Sequence, residues 1–218
     1  MKGEYDSGYR YNEDYPYLQE VIERTGNLRY DIRTILKDYG LIYWRLGLRP
    51  RHKVLDVGSC IGSLGHFLQY GGITTYGVDL NFSAIKEGRE RFGVERKNQS
   101  VLACAINLPF PSGFFDAVIT EDVFEHFPSQ EFAEGVFTEM QRVLNPERKR
   151  MYHKITVAED TRHIDADESH MLKWTTGQWM EFFGSQGWDV IVDPNLRVPI
   201  IGKTYPGYFL IRKENTDL

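Results

Sequence analysis

The chain has 218 residues, a formal net charge of −5, 41% hydrophobic and 26% charged residues, the composition of a soluble globular domain. No apolar run nears the ~18 residues a membrane span needs, the opening Met1-Lys2-Gly3-Glu4 lacks the apolar core of a secretory signal, and the acidic balance removes the electrostatic case for a general nucleic-acid binder. The two cysteines, Cys60 and Cys104, form no C-x-x-C pair, which excludes a zinc ribbon and thioredoxin-like redox chemistry; a cytoplasmic protein is expected.

Residues 1–15 are rich in Tyr, Asp, Glu and Gly without a period, so Tyr5, Tyr9, Tyr11 and Tyr15 belong to a lid or to a disordered tail. Tyr17, Leu18, Val21 and Ile22 recur at helical spacing. A second helix is expected from Asn27, a good cap, through Ile32, Ile35, Leu36 and Tyr39, with Gly40 as its stop. After Pro50 strands and helices alternate. The expected strands are 54–57, 74–79, 101–105, 115–119 and 151–157. The helices between them carry Leu64, Phe67 and Leu68, then Ile85 to Phe92, then Phe132, Val136, Met140, Val143 and Leu144 behind a Ser129 cap. Residues 142–150 read as a solvated basic loop. Thr175 and Gln178 fit a capping box before Trp179, Phe182 and Phe183. Two last strands, 190–192 and 208–211, have no helix between them and are expected to run antiparallel. Such alternation implies a mainly parallel α/β sheet covered on both faces.

Glycine after a first strand lets the backbone bend sharply and approach a ligand. A dinucleotide site wants G-x-G-x-x-G, but from Gly58 the chain offers Gly58, Cys60 and Ser63. Asp79 lies 21 residues after Gly58 (79 − 58), the place where α/β nucleotide folds put a ribose-binding carboxylate. The other reading of Asp79 is a cap for the helix beginning near Asn81, and both can hold at once.

Asp56-Val57-Gly58-Ser59-Cys60-Ile61-Gly62 resembles motif I of S-adenosylmethionine-dependent methyltransferases, with Cys60 in place of the middle glycine. Leu108-Pro109-Phe110 through Phe115-Asp116-Ala117-Val118, and Val123-Phe124-Glu125-His126, resemble further segments of the small-molecule members of that family. The likeness covers residues 54–144 best. It implies a Rossmann-like, doubly wound, mostly parallel seven-stranded sheet with an antiparallel last strand. One domain is expected over 1–218, with an N-terminal arm and helices at 1–48 and a cofactor-binding core at 49–218. It implies S-adenosyl-L-methionine as cofactor and S-adenosyl-L-homocysteine as product. Asp56, Gly58, Ser59 and Gly62 are expected around the methionine end and Asp79 and Leu80 around the ribose. Ala105 and Ile106 are expected near adenine, and Glu121 at the fourth-strand exit. Cys104 stands where members often place an adenine-binding aspartate, so backbone groups at Ala105 or Ile106, or the Asn107 side chain, must substitute. Thr120-Glu121-Asp122-Val123 is unlike the D/N-P-P-Y motif of DNA amino-methylating enzymes.

His126 at the fourth-strand exit, and His163 and His170 in the loop after the fifth, are candidates for positioning or deprotonating an acceptor. For His126 the alternative is a backbone hydrogen bond beside Glu125. The 160–170 loop reads as a substrate-facing loop, as a plain polar loop, or as a set of cation ligands; no metal is assigned. Trp174 either closes over the acceptor or anchors the loop. The expected partner is a small or medium-sized acceptor methylated on O, N or C. The alternatives are a non-catalytic cofactor-binding module and a nucleotide-cofactor oxidoreductase.

Overall fold

A computed structural model describes residues 39–93, 98–148, 150–165, 167–192 and 208–212. The arm, the tyrosine lid and the helices expected before Tyr39 lie outside the described residues. Strands β1 (Lys53–Val57), β2 (Thr74–Asp79), β3 (Asn98–Leu102), β4 (Ala117–Glu121), β5 (Arg150–Lys154), β6 (Asp189–Val192) and β7 (Tyr208–Arg212) form one sheet in the order β3-β2-β1-β4-β5-β7-β6. The first five strands are mutually parallel, and β7 runs antiparallel to both β5 and β6.

Strand side chains alternate between faces, and here each face has its own core. Leu55, Val118 and Met151 join Phe137, Met140, Trp179 and Phe183 on one side. Val54, Ala117, Ile119 and Tyr152 join Ile42, Leu46, Leu64, Leu68 and Ile73 on the other. Double-sided burial explains why β1 reads as an unbroken apolar run interrupted only by Asp56. That acid is therefore a buried ionisable group in a central strand, and it needs a reason to be there.

The helices are α1 (Gly40–Arg45), α2 (Ser63–Leu68), α3 (Phe82–Phe92), α4 (Gln130–Val143), α5 (Thr161–Ile164) and α6 (Thr176–Ser185). In α4 the buried side is Ala133, Val136, Phe137, Met140 and Val143, and Ser129 Oγ accepts the Phe132 N–H at 3.3 Å. The Thr175–Gln178 capping box starts α6 as its spacing implied.

Several expectations need correction. Gly40 does not stop a helix; it lies within one, Tyr39 before it being helical too, because Ile42 and Leu46 are drawn into the core beside Leu68. The third strand is Asn98–Leu102 and not 101–105: β3 is a sheet edge and tolerates polar Gln99 and Ser100, while Ala103 gives the last ladder bond to the Asp79 carbonyl at 3.1 Å. The fourth strand starts at Ala117, with Phe115 making only an isolated bridge to Leu144. The fifth ends at Lys154, opposite Glu121 where β4 also ends. Arg142 is not in a solvated loop. It lies in the last turn of α4 and donates to the carbonyls of Phe110 (2.8 Å) and Leu108 (3.0 Å) while pairing with Glu139. Glu139 in turn accepts the Leu108 N–H, so two α4 side chains fix the Pro-Phe segment.

Candidate functional site

Strand order reverses at β1, whose neighbours are β2 and β4, and ligands of open α/β sheets lie beyond the strand ends at that point. The bend after β1 is held by its own backbone. The N–H groups of Gly58 (2.8 Å) and Ser59 (3.1 Å) both donate to the Val78 carbonyl, and Gly62 donates to the Ser59 carbonyl at 2.8 Å. The Cys60 N–H donates to Asp79 Oδ2 at 2.8 Å. These four donors are spent inside the fold. The residue that replaces the usual glycine, Cys60, sits at φ 49°, a left-handed conformation that favours glycine. Burial pushes its thiol up to about 12, with Asp79 adding to the effect, so it is no thiolate nucleophile.

Two glycines set how closely this bend is packed. A Cβ on Gly58 would lie 2.3 Å from Val123 Cγ2, so the bend rests directly on the β4 exit. A Cβ on Gly88 would lie 2.1 Å from the Ile61 carbonyl oxygen, so α3 reaches the bend only because that position is glycine. Gly88 had no role in the sequence reading; a lone glycine inside an amphipathic helix was the available signal.

Asp79 anchors the bend. Its Oδ2 accepts from Cys60 and its Oδ1 from the Asn81 N–H at 2.8 Å, while Asn81 itself caps α3 through Ala84. A carboxylate offers about four lone-pair sites, more than the backbone donors of Cys60, Asn81 and Leu80 occupy, so the anchor and a ligand contact are compatible. Burial raises the Asp79 pKa above the ordinary carboxyl value, against the backbone bonds that lower it. Asp56, also buried, is pushed up to about 7 by desolvation first and by the neighbouring Asp79 second. Two acids side by side favour a positively charged or hydrogen-bond-donating ligand.

The other expected cofactor residues divide. Ser59 Oγ turns inward and lies 2.5 Å from where a Cβ on Gly77 would be, with no hydrogen-bond partner. Leu80 is half exposed, as is Leu102, the register partner of Asp79. This apolar pair flanks the carboxylate, and Leu102 was not singled out from sequence. Ala105 and Ile106 pack on the main core, and Ile106 Cδ1 approaches Gly135 of α4. Glu121 ends β4, part-buried.

The β4 exit carries the second group. Asp122 (φ 53°) donates its N–H to the Lys154 carbonyl, and its side chain pairs with Lys154 Nζ at 2.5 Å. Glu125 is fully buried in a short 3₁₀ turn, and its carbonyl accepts the N–H groups of Met171 (2.7 Å) and Leu172 (2.9 Å). That clamp brings His170 over His126, ring centroids 4.7 Å apart. His126 Nδ1 meets Ser169 Oγ at 2.8 Å, and Ser169 Oγ donates to Asp167 at 2.5 Å. His170 Nδ1 meets the Ile164 carbonyl at 3.0 Å. Burial lowers the His126 pKa, with His170 adding to it; burial raises that of Glu125, with Asp122 adding. His163 is not in this group: it is exposed and pairs with Asp160 at 2.8 Å. Trp174 packs with tilted rings against Trp179 at 4.6 Å and Phe182 at 5.8 Å, which makes it an anchor.

Residues 55–149 match the family model described as a methyltransferase domain. A sterol 24-C-methyltransferase of Gibberella zeae is 32% identical over 118 residues, 52% of this chain and 30% of that protein. A ubiquinone/menaquinone biosynthesis C-methyltransferase of Cupriavidus taiwanensis is 31% identical over 134 residues, 56% of this chain and 54% of that one. The match thus spans about half or less of these relatives' own length. Among solved structures, a SAM-dependent methyltransferase from Aquifex aeolicus superposes with a TM-score of 0.62 at 15% identity, covering 88% of this chain and 95% of that one. A 4+2 cyclase superposes at 0.59 with 17% identity, over 70% of this chain and 56% of that one. These structural likenesses establish the Rossmann-like fold. Among the described residues no helix is long and apolar enough to cross a membrane.

Proposed function

We propose that this chain, which carries a methyltransferase domain at residues 55–149, moves the methyl group of S-adenosyl-L-methionine to an oxygen, nitrogen or carbon atom of a small or medium-sized acceptor. One observation supports this most: the 58–62 bend and Asp79 are tied together at 2.8 Å through the Cys60 N–H, with the buried Asp56 carboxyl beside them. A buried acid next to a second acid suits the α-ammonium of an amino acid. Lone pairs left on Asp79 suit ribose hydroxyls, and the half-exposed Leu80 and Leu102 suit an apolar base. When bound, the cofactor supplies an activated methyl group on a sulfonium.

The chain's own contribution is orientation. Holding two reactants in line removes much of the entropic barrier. Gly58, Ser59 and Gly62 shape the cofactor wall, and Glu121 lies where β4 opens toward it. Val123 carries the β4 exit against Gly58, so His126 and His170 stand on the acceptor side as positioning or proton-accepting groups. His163, exposed on α5, is the weakest of the three candidates. The Pro-Phe segment, fixed by Arg142, leaves Ala105 and Ile106 to meet adenine through their backbone. Residues 1–218 then act as one domain, in the cytoplasm, without general affinity for nucleic acid.

Calorimetry with S-adenosylhomocysteine tests this. Micromolar binding to the wild type, lost in Asp79→Ala and partly kept in Asp79→Asn, is the expected result. Absence of wild-type binding defeats the reading. Binding without turnover across a broad acceptor panel makes the chain a non-catalytic cofactor-binding module instead.

A further inference from the structure

Around Glu125 the side chains of His126 and His170 come together with atoms able to hold a cation. The Ile164 carbonyl can only accept, so the His170 proton is on Nδ1 and its Nε2 carries a lone pair. Ser169 Oγ gives its own proton to Asp167, so it accepts from His126 Nδ1–H, and His126 Nε2 is likewise a bare lone pair. Glu125 Oε1 accepts the Thr156 N–H at 2.7 Å, but Oε2 is buried without a hydrogen-bond partner, in a residue at 0% exposure. One donor atom from each of Glu125, His126 and His170 lies within 4.8 Å of the others. A buried carboxyl oxygen with no partner calls for a proton or a cation, and burial pushes this carboxyl up to about 8, so a bound ion would take the place of that proton.

We propose that Glu125, His126 and His170 form a binding site for a first-row divalent cation. Two imidazole nitrogens and one carboxylate oxygen suit zinc, iron, cobalt or nickel better than magnesium or calcium. Three protein ligands leave coordination positions open, as in sites that take a small-molecule oxygen. Ligand atoms about 2.1 Å from a tetrahedral ion are about 3.4 Å apart, so the group must draw in by at most about 1.4 Å from the 4.8 Å spread. The surroundings of the ligands are already those of a metal site. Each histidine donates its other ring N–H, one to a backbone carbonyl and one to a serine backed by a carboxylate, which fixes the tautomer and orients the ring. The clamp of Met171 and Leu172 on the Glu125 carbonyl holds the two chain segments together without the ion. Asp122 adds negative charge next to Glu125 and is held off the group by Lys154. The site stands on this geometry and goes beyond the methyl-transfer reading; with an ion bound, His126 and His170 serve as ligands and not as proton acceptors.

Cobalt(II) titration of the untagged chain tests it. The wild type is expected to bind one equivalent with visible d–d absorption. Glu125→Gln and His170→Asn are each expected to weaken binding at least tenfold, and His163→Asn, outside the group, to leave it unchanged. Circular dichroism and S-adenosylhomocysteine binding on the same samples report folding and the cofactor site separately. X-ray absorption of the zinc-loaded wild type, which needs no variant, is expected to show two imidazoles. Absence of d–d bands at millimolar cobalt, wild-type affinity in both ligand variants, or fewer than two imidazoles overturns the site. Cofactor binding that survives such a result leaves the methyl-transfer reading standing.

Discussion

The proposed site has a cofactor half and an acceptor half, and the two are built in opposite ways. On the cofactor side the bend at 58–62 is made of main chain: four N–H groups are spent internally, and one carboxylate, Asp79, ties it to β2. On the acceptor side the working atoms are side chains from positions 45 residues apart (170 − 125), gathered by one pair of hydrogen bonds to the Glu125 carbonyl. A backbone-built site is rigid and generic, because nearly any sequence with glycine at the right places can form it. A side-chain-built site is specific, because each residue type matters. The comparison predicts that substitutions on the first side damage architecture and cofactor affinity together, whereas those on the second leave the cofactor alone.

The largest effect falls on Asp79. Asp79→Ala removes two charge-assisted hydrogen bonds, to Cys60 and Asn81, each worth about 1.5–3 kcal/mol. A loss of S-adenosylhomocysteine affinity of about a hundredfold or more is expected by calorimetry. An affinity within threefold of wild type would mean that the bend keeps its shape without its anchor. Gly88→Ala comes next. The new methyl meets the Ile61 carbonyl oxygen at 2.1 Å, backbone that cannot rotate away. Overpacking of this kind costs about 1–3 kcal/mol, so a fall in melting temperature of roughly 2–12 °C is expected for a chain of this length, with weaker cofactor binding. An unchanged melting temperature would show that α3 does not bear on the bend.

The same division explains what sequence could reveal. The bend and Asp79 were legible because glycine spacing and strand-end acids are local signals. The capping box of α6 and the Ser129 cap were legible for the same reason. Strand limits at β3, β4 and β5 were misplaced by two or three residues, since hydrophobicity marks burial while pairing marks the strand. Phe115, Ile155 and Val157 are buried yet lie outside the ladder. His126 and His170 are each legible as candidates, but nothing in the sequence shows that they meet. Their meeting depends on the Met171 and Leu172 N–H groups reaching a carbonyl on another strand exit, and no periodicity encodes that. Arg142 reads as solvated because charge on a helix end carries no local sign of the Leu108 and Phe110 carbonyls it serves.

Acidity gives a finer probe of the cofactor half. Asp56 moves from an ordinary carboxyl near 3.8 when unfolded to about 7 when folded, chiefly by burial. The folded state therefore holds a proton that the unfolded chain gives up, and stability falls as pH rises from about 4 to about 7. An ammonium beside Asp56 reverses the shift and expels the proton. Cofactor affinity should then rise roughly fivefold from pH 6 to pH 7, with close to one proton released per site at pH 6. Calorimetry in buffers of differing ionisation enthalpy reads both. Affinity that is flat across this range, with no proton released, would place the ammonium elsewhere.

The smallest expected effect is the sharpest test of the division. His126→Asn removes an imidazole whose contacts run to Ser169 and His170 and not to the bend. Sites without shared partners couple by about 0.5 kcal/mol or less, so S-adenosylhomocysteine affinity should stay within about twofold. A direct side-chain contact between the halves is Val123, which lies against Gly58. Val123→Ala opens space at that contact and should change cofactor affinity more than His126→Asn does, although it deletes no polar group. If the order is reversed in side-by-side titrations, the histidines reach the cofactor directly and the crevice is one site, with no boundary at the β4 exit.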